Sequence, residues 1–258
     1  MQRTELFQNL LDNLSKKSEE DYYKYIGTGN PDADILIIGK EAAIDKEKQK
    51  SQFENEIENN FNAWKEILED PKEVPYDPQN IQYNSPLYPY RGQVFKIDDG
   101  QNRGTSRTWY NYQKLYNNIY PEKINENIDF HEGVFITEVN ATPCNKTRDA
   151  DAETIQFRKD NILSSDFIKD FPVIILAGVG YFDTVKNSPG DLNEIEKTFN
   201  VRFQEKRIAK GNESQPYWIH RNEENKKPQL LINTYQLSMA VSDALLAEIT
   251  ELVKKEIF

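Results

Sequence analysis

The sequence predicts an α/β fold, a three-layer α/β/α sandwich around a central, mainly parallel four-stranded sheet. Two observations carry that expectation. Four short apolar runs of strand length, Asp34–Gly39, Gly133–Val139, Pro172–Ala177 and Gln229–Tyr235, are near-continuous rather than alternating. Runs of that kind suit strands buried on both faces, as in a parallel sheet under helices. Segments with helical spacing separate them, and strands alternating with helices read as βαβ units.

Taken in order, Leu6, Phe7, Leu10, Leu11 and Leu14 lie at i, i+3/i+4 spacing and predict an N-terminal helix. Phe53, Ile57, Phe61, Trp64, Ile67 and Leu68 repeat the pattern after the first strand. Residues 70–104 have no clear period and contain Pro71, Pro75, Pro78, Pro86 and Pro89 among many tyrosines, which predicts a long inserted loop. Tyr112, Leu115, Tyr116 and Ile119 mark the next helix. Ile155, Ile162, Leu163 and Phe167 follow the acidic start Asp151 and Glu153, as suits a helix N-terminus. The stretch from Phe199 to Arg221 predicts a small antiparallel pair at the sheet edge. Val241, Leu245, Ile249, Leu252 and Val253 form the last apolar stripe, with Lys254 and Lys255 in its final turn. No linker-like stretch separates two cores, so residues 1–258 are expected to form one domain.

Composition narrows the function classes. The net charge is −11, and a strong non-specific nucleic-acid binder is expected to be basic. Cys144 is the single cysteine, which excludes an internal disulfide and an iron–sulfur cluster, and with only His131 and His220 an ordinary zinc site is short of ligands. Both histidines are expected at the surface. No metal and no cofactor is expected: Gly178-x-Gly180 lacks the rest of a dinucleotide fingerprint and reads as a tight turn. The longest apolar stretch, Val173 to Phe182, is too short for a membrane span, and no secretory signal opens the chain. A cytoplasmic protein without a membrane partner is the expectation.

In open α/β sheets, ligands bind outside the carboxyl ends of the strands. The residues there are Gly39, Lys40 and Glu41 after the first strand, then Glu138, Asn140, Thr142 and Pro143 after the second. Gly178, Gly180 and Tyr181 follow the third, and Gln236, Leu237 and Ser238 the fourth. Asn140 and Gln236 also suit a plainer role, satisfying loop backbone.

These strand-end motifs, in this order, resemble those of the uracil-DNA glycosylase superfamily. Gly39-Lys40-Glu41-Ala42-Ala43 stands in register with the G-Q-D-P-Y of one branch, and Thr234-Tyr235-Gln236-Leu237-Ser238 with the T-Y-H-P-S form of the final motif. The resemblance covers about residues 30 to 256 and rests on order and spacing more than on identities. It implies hydrolysis of the N-glycosidic bond of a deaminated or damaged base, in single-stranded or damaged DNA or in a nucleoside-like small molecule. It implies Glu41 as the water-positioning carboxylate, and Gly39, Lys40, Glu138, Asn140, Trp109, Tyr181 and Gln236 around the base. Phosphate contacts are expected from Arg107, Thr105 and Ser238, the last at a helix N-terminus. Gln236 replaces the family's histidine, so a catalytically degenerate binding module on the same fold is the second expectation. A basic cleft formed by Lys40, Arg103, Arg107, Lys146 and Arg148 would favour the nucleic-acid enzyme; a neutral or acidic one would favour the binding module or a small-molecule substrate.

Overall fold

The computed structural model describes residues 3–17, 21–42, 44–76, 81–94, 106–123, 127–143, 150–186, 188, 190–211, 215–222, 229–238 and 241–258. Its helices are α1 (Arg3–Leu14), α2 (Lys50–Phe53), α3 (Asn60–Glu69), α4 (Arg107–Ile119), α5 (Ala152–Arg158), α6 (Asp166–Lys169), α7 (Glu194–Phe199) and α8 (Asp243–Ile257). Its strands are β1 (Thr28–Gly29), β2 (Ile35–Gly39), β3 (Val134–Glu138), β4 (Val173–Leu176), β5 (Arg202–Ile208), β6 (Pro216–Asn222) and β7 (Gln229–Asn233).

The strands form one mixed sheet of seven, in the order β1-β3-β2-β4-β7-β6-β5. The four apolar runs are its centre: β3, β2, β4 and β7 pair in parallel. The expected four-stranded sheet is therefore too small. Two-residue β1 adds antiparallel to β3 at one edge, and the β5–β6 pair adds antiparallel to β7 at the other. β5 is exposed along its whole length.

Alternation along each central strand sends side chains to both faces. Leu36, Ile38, Phe135, Ile174, Leu176 and Leu231 pack with Phe7, Leu10 and Leu11 of α1, Phe61 and Trp64 of α3 and Phe167 of α6. Ile35, Ile37, Val134, Ile136, Val173, Ile175 and Ile232 pack with Tyr112, Leu115 and Tyr116 of α4 and Leu245, Ile249 and Val253 of α8. Apolar burial on both faces of the central strands is the main stabilising term, roughly 25 cal/mol per Å² removed from water.

Two expected helices are interrupted. π-helical turns span Glu54–Glu58, between α2 and α3, and Lys159–Leu163, between α5 and α6. A π turn shifts the helical register, and the first of them carries Glu56 into the region above the sheet. Both histidines are buried rather than at the surface, each 2% exposed. His131 stacks on Phe130 and meets the edge of Trp109, and burial pushes its pKa down to about 3. His220 lies inside β6 against Phe203, and its pKa is pushed down to about 4, chiefly by burial.

Two contacts fix the chain around the carboxyl end of β3. Asn60 of α3 accepts from the Ile26 N–H at 2.9 Å, and its amide donates to the Gly27 carbonyl at 2.9 Å, where the Trp64 indole also donates at 2.8 Å. Gly27 has φ +138°, and a Cβ there would lie 2.1 Å from the Ile136 carbonyl oxygen, so only glycine lets this segment close on β3. From the other side Arg158, fully buried at the end of α5, donates to the Glu138 carbonyl from Nε at 3.0 Å and Nη2 at 2.8 Å. It also donates to the Thr137 hydroxyl at 2.8 Å and to the Tyr25 carbonyl. Arg158→Met leaves those oxygens without donors, and we expect it to lower unfolding free energy by about 3 kcal/mol or more, read as a fall in the urea midpoint.

Candidate functional site

A cavity of about 660 Å³ opens at the carboxyl ends of β2 and β3. This is the volume range of small-molecule sites. Of the expected site residues it brings together Lys40, Glu41, Trp109, Glu138, Gln236 and Ser238. The wall is completed by residues that no sequence motif singled out, among them Tyr25, Gln52, Glu56, Tyr83 and Tyr112.

Glu41 follows the last residue of β2, and its Oε2 accepts a hydrogen bond from the Tyr181 hydroxyl. The Lys40 ammonium stands 5.9 Å from the centre of the Tyr181 ring. Lys159, from the second π turn, donates to the Tyr181 carbonyl at 2.5 Å and pairs with Glu194 at 2.7 Å. Tyr181 thus fixes the Glu41 carboxylate from outside the cavity wall.

Glu138 ends β3 beside it. Gly39 makes room for its side chain: a Cβ on Gly39 would lie 2.2 Å from Glu138 Oε2. The residue is half-buried, but Oε2 is sealed from solvent and has no hydrogen-bond partner. Burial pushes the Glu138 carboxyl up to about 8; the negative charge of Glu41 pushes the same way and Arg158 opposes it. Two neighbouring carboxyls therefore differ in role: at neutral pH Glu138 carries a proton while Glu41 holds a tyrosine hydroxyl.

A third carboxyl, Glu56, is raised by burial, against hydrogen bonds from Tyr90 and Gln52. Tyr90 donates to it and has φ +53°, a left-handed conformation rare for a bulky side chain. The hydroxyls of Tyr83 and Tyr112 are sealed from solvent without partners. Burial raises both phenols, Glu56 adding to the effect at Tyr83 and Glu138 at Tyr112. Trp109 closes the aromatic wall, its ring 5.8 Å from that of Tyr90. The tyrosine-rich loop therefore contributes Tyr83 and Tyr90 directly to the site.

Gln236 accepts from the Lys40 backbone N–H at 3.1 Å through Oε1, which leaves its amide NH₂ as the group to meet a ligand. The remaining expected residues fall elsewhere. Asn140 is buried and closes a local turn, accepting from Thr142 N–H at 3.0 Å and donating to the Thr142 carbonyl at 2.8 Å, away from the cavity wall. Arg107 is exposed in the first turn of α4 and does not line the cavity. Ser238 lines it, but not as a helix N-terminus: α8 starts at Asp243 and is capped by Ser242, which accepts from Leu245 N–H at 3.1 Å. Thr105, Arg103, Cys144, Lys146 and Arg148 lie outside the described residues.

Among the described lining residues the carboxyls Glu41, Glu56 and Glu138 outnumber the single cation, Lys40. Among the described residues no three His, Cys, Asp or Glu side chains are grouped to hold a metal ion, and no helix is long and apolar enough to cross a membrane. No protein-family model matches the chain, and neither does any curated protein.

The raised Glu138 pKa has a stability consequence. The folded state binds a proton there that the unfolded chain, near the ordinary value of 4.5, releases. Its contribution is thus fully present below about pH 4.5 and is lost as pH rises through about 8. Glu138→Gln has no such proton to lose, so its stability relative to wild type should climb across that window in urea titrations; a constant offset would contradict a raised pKa.

Proposed function

We propose that the protein is an N-glycosidase of the uracil-DNA glycosylase-like, three-layer α/β/α type, acting on a nucleoside-like substrate. The observation that carries this reading is the placement of Glu41: a carboxylate at the end of a central parallel strand, fixed by Tyr181, on the wall of an aromatic-lined cavity of about 660 Å³. Breaking an N-glycosidic bond develops positive charge on the sugar and negative charge on the departing base. A fixed carboxylate positions water and faces the first charge, and hydrogen-bond donors hold the second. Glu41 takes the carboxylate role. Lys40, the Gln236 amide and protonated Glu138 are the donors within the cavity. Trp109, Tyr83 and Tyr90 supply the aromatic surface against which a base stacks.

With Glu41 and Glu56 among the described lining residues and Lys40 the one cation there, a small uncharged nucleoside suits the wall better than a polyanionic strand. A second reading, a binding module on the same fold without catalysis, is favoured by one contact: Gln236 stands where the resemblance places a histidine, and a neutral amide stabilises a departing anion less than an imidazolium. Base release from a panel of nucleosides, and from single-stranded oligonucleotides carrying uracil or other altered bases, separates the readings. We expect release from at least one nucleoside and a loss of about 10²-fold or more in Glu41→Gln. Absence of release across both panels would favour the binding module.

A further inference from the structure

A carboxylate withdrawn from water is normally matched by a cation, because an isolated charge there is costly. Two carboxyls on the cavity wall lack that match. Glu41 accepts from the Tyr181 hydroxyl and Glu56 from the Tyr90 hydroxyl, and both donors are neutral. Among the described residues no Lys, Arg or His stands at ion-pair distance from either. Burial raises Glu56, with only hydrogen bonds from Tyr90 and Gln52 to oppose it. Neither residue is closed off: both are half-buried and line the cavity.

The aromatic side of the same wall has a matching geometry. The rings of Tyr83 and Tyr90 meet at 5.9 Å and 73°, and those of Tyr90 and Trp109 at 5.8 Å and 58°. Rings so inclined form a bent wall rather than a flat stack, and all three are half-buried and line the cavity. The face of such a ring attracts a positive charge. Tyr90 belongs to both features, since its ring is part of the bent wall and its hydroxyl holds Glu56. Ring faces and unmatched carboxylates in one cavity suit an organic cation.

The proposed reaction says which cation. A neutral nucleoside releases its base as an anion, and where the resemblance places a histidine to hold that anion the cavity has the neutral amide of Gln236. Alkylation of a ring nitrogen gives the base a positive charge before the reaction begins. On cleavage the electron pair of the C1′–N bond passes to the ring and cancels that charge, so the base departs neutral. Water adds its oxygen to C1′, and its proton passes to Glu41. A leaving group of this kind needs no imidazolium.

We infer that the cavity takes a nucleoside with a positively charged, N-alkylated base, recognised by the ring faces of Tyr83, Tyr90 and Trp109 and by the carboxylates of Glu41 and Glu56, in preference to the unalkylated nucleoside. This rests on the proposed function for the nucleoside and goes past it in giving the base a charge. The charge balance that suits an uncharged nucleoside over a strand suits a cationic base better still.

The test is calorimetric binding to the full chain of nucleosides in pairs that differ by one methyl group and the charge it brings. The pairs are 7-methylguanosine against guanosine and 1-methyladenosine against adenosine, at a mildly acidic pH where both methylated bases are cations. Tetramethylammonium is titrated as a cation without a base, and each sample is then analysed for free base. The methylated member of at least one pair should bind about tenfold or more tightly than its partner. Glu56→Gln, which keeps an acceptor for Tyr90 but removes the charge, and Trp109→Leu, which removes a ring, should each cut that preference several-fold. Equal or weaker binding of both methylated members, no binding of any of the four, tetramethylammonium binding as tightly as the methylated nucleosides, or a preference unchanged in both variants would each overturn the inference. The comparison within each pair on the wild-type chain stands even where a variant fails to fold. A clear preference without base release would leave the inference standing and remove the catalytic reading; base release from the unmethylated members alone would do the reverse.

Discussion

The site depends on a buried guanidinium. Arg158 sits at full burial where α5 gives way to a π turn and spends its donors on the carbonyls of Glu138 and Tyr25 and the hydroxyl of Thr137. A buried cation is costly unless its donors are satisfied, and here every named partner is an oxygen of the segments that frame the cavity. The same residue therefore ends β3, holds the segment before β1 in place, and puts a positive charge beneath Glu138. That charge only partly opposes burial, so the carboxyl keeps its proton at neutral pH. Its pKa is itself lowered by burial, to about 10, with Glu138 and Tyr25 resisting.

From that anchor the arrangement builds outward. The Gly27 segment closes on β3 because glycine tolerates its backbone angle and because Asn60 and Trp64 of α3 hold it. Gly39 leaves space for the Glu138 carboxyl against β2. Lys159, one residue beyond Arg158, holds the Tyr181 backbone, and Tyr181 in turn holds Glu41. Two adjacent residues of one helix-to-π junction thus set the positions of both strand-end carboxyls, Glu138 directly and Glu41 through a tyrosine. Pairing a proton-bearing carboxyl with a neighbouring charged one is a common physical basis for dividing acid and base roles.

Much of this was legible in the sequence, for a simple reason. Strands buried on both faces must be continuously apolar, so β2, β3, β4 and β7 announce themselves, and the topology then places Lys40, Glu41, Glu138 and Gln236 at one end of the sheet. What failed has equally physical causes. β1 is only two residues long, and its pairing depends on Gly27 and the tertiary contacts of α3. A π turn leaves no periodic signature, so nothing marked Glu56 or Arg158 as facing inward. His131 looks like a surface residue beside Asp129 and Glu132 until Phe130 and Trp109 are seen to enclose it. Asn140, singled out for reading a base, instead satisfies the Thr142 backbone. Local hydrogen bonding of that kind is what short amide side chains do at strand ends.

The central claim is that burial and a neighbouring carboxylate keep a proton on Glu138 at the heart of the cavity. The most direct measurement is a carbon-13 NMR titration of the glutamate side-chain carboxyls, with the Glu138 resonance assigned by its loss in Glu138→Gln. The account predicts a midpoint near pH 8 that falls when Glu41 is replaced by Gln. A Glu138 midpoint near the ordinary value of 4.5, unmoved by that replacement, would contradict it.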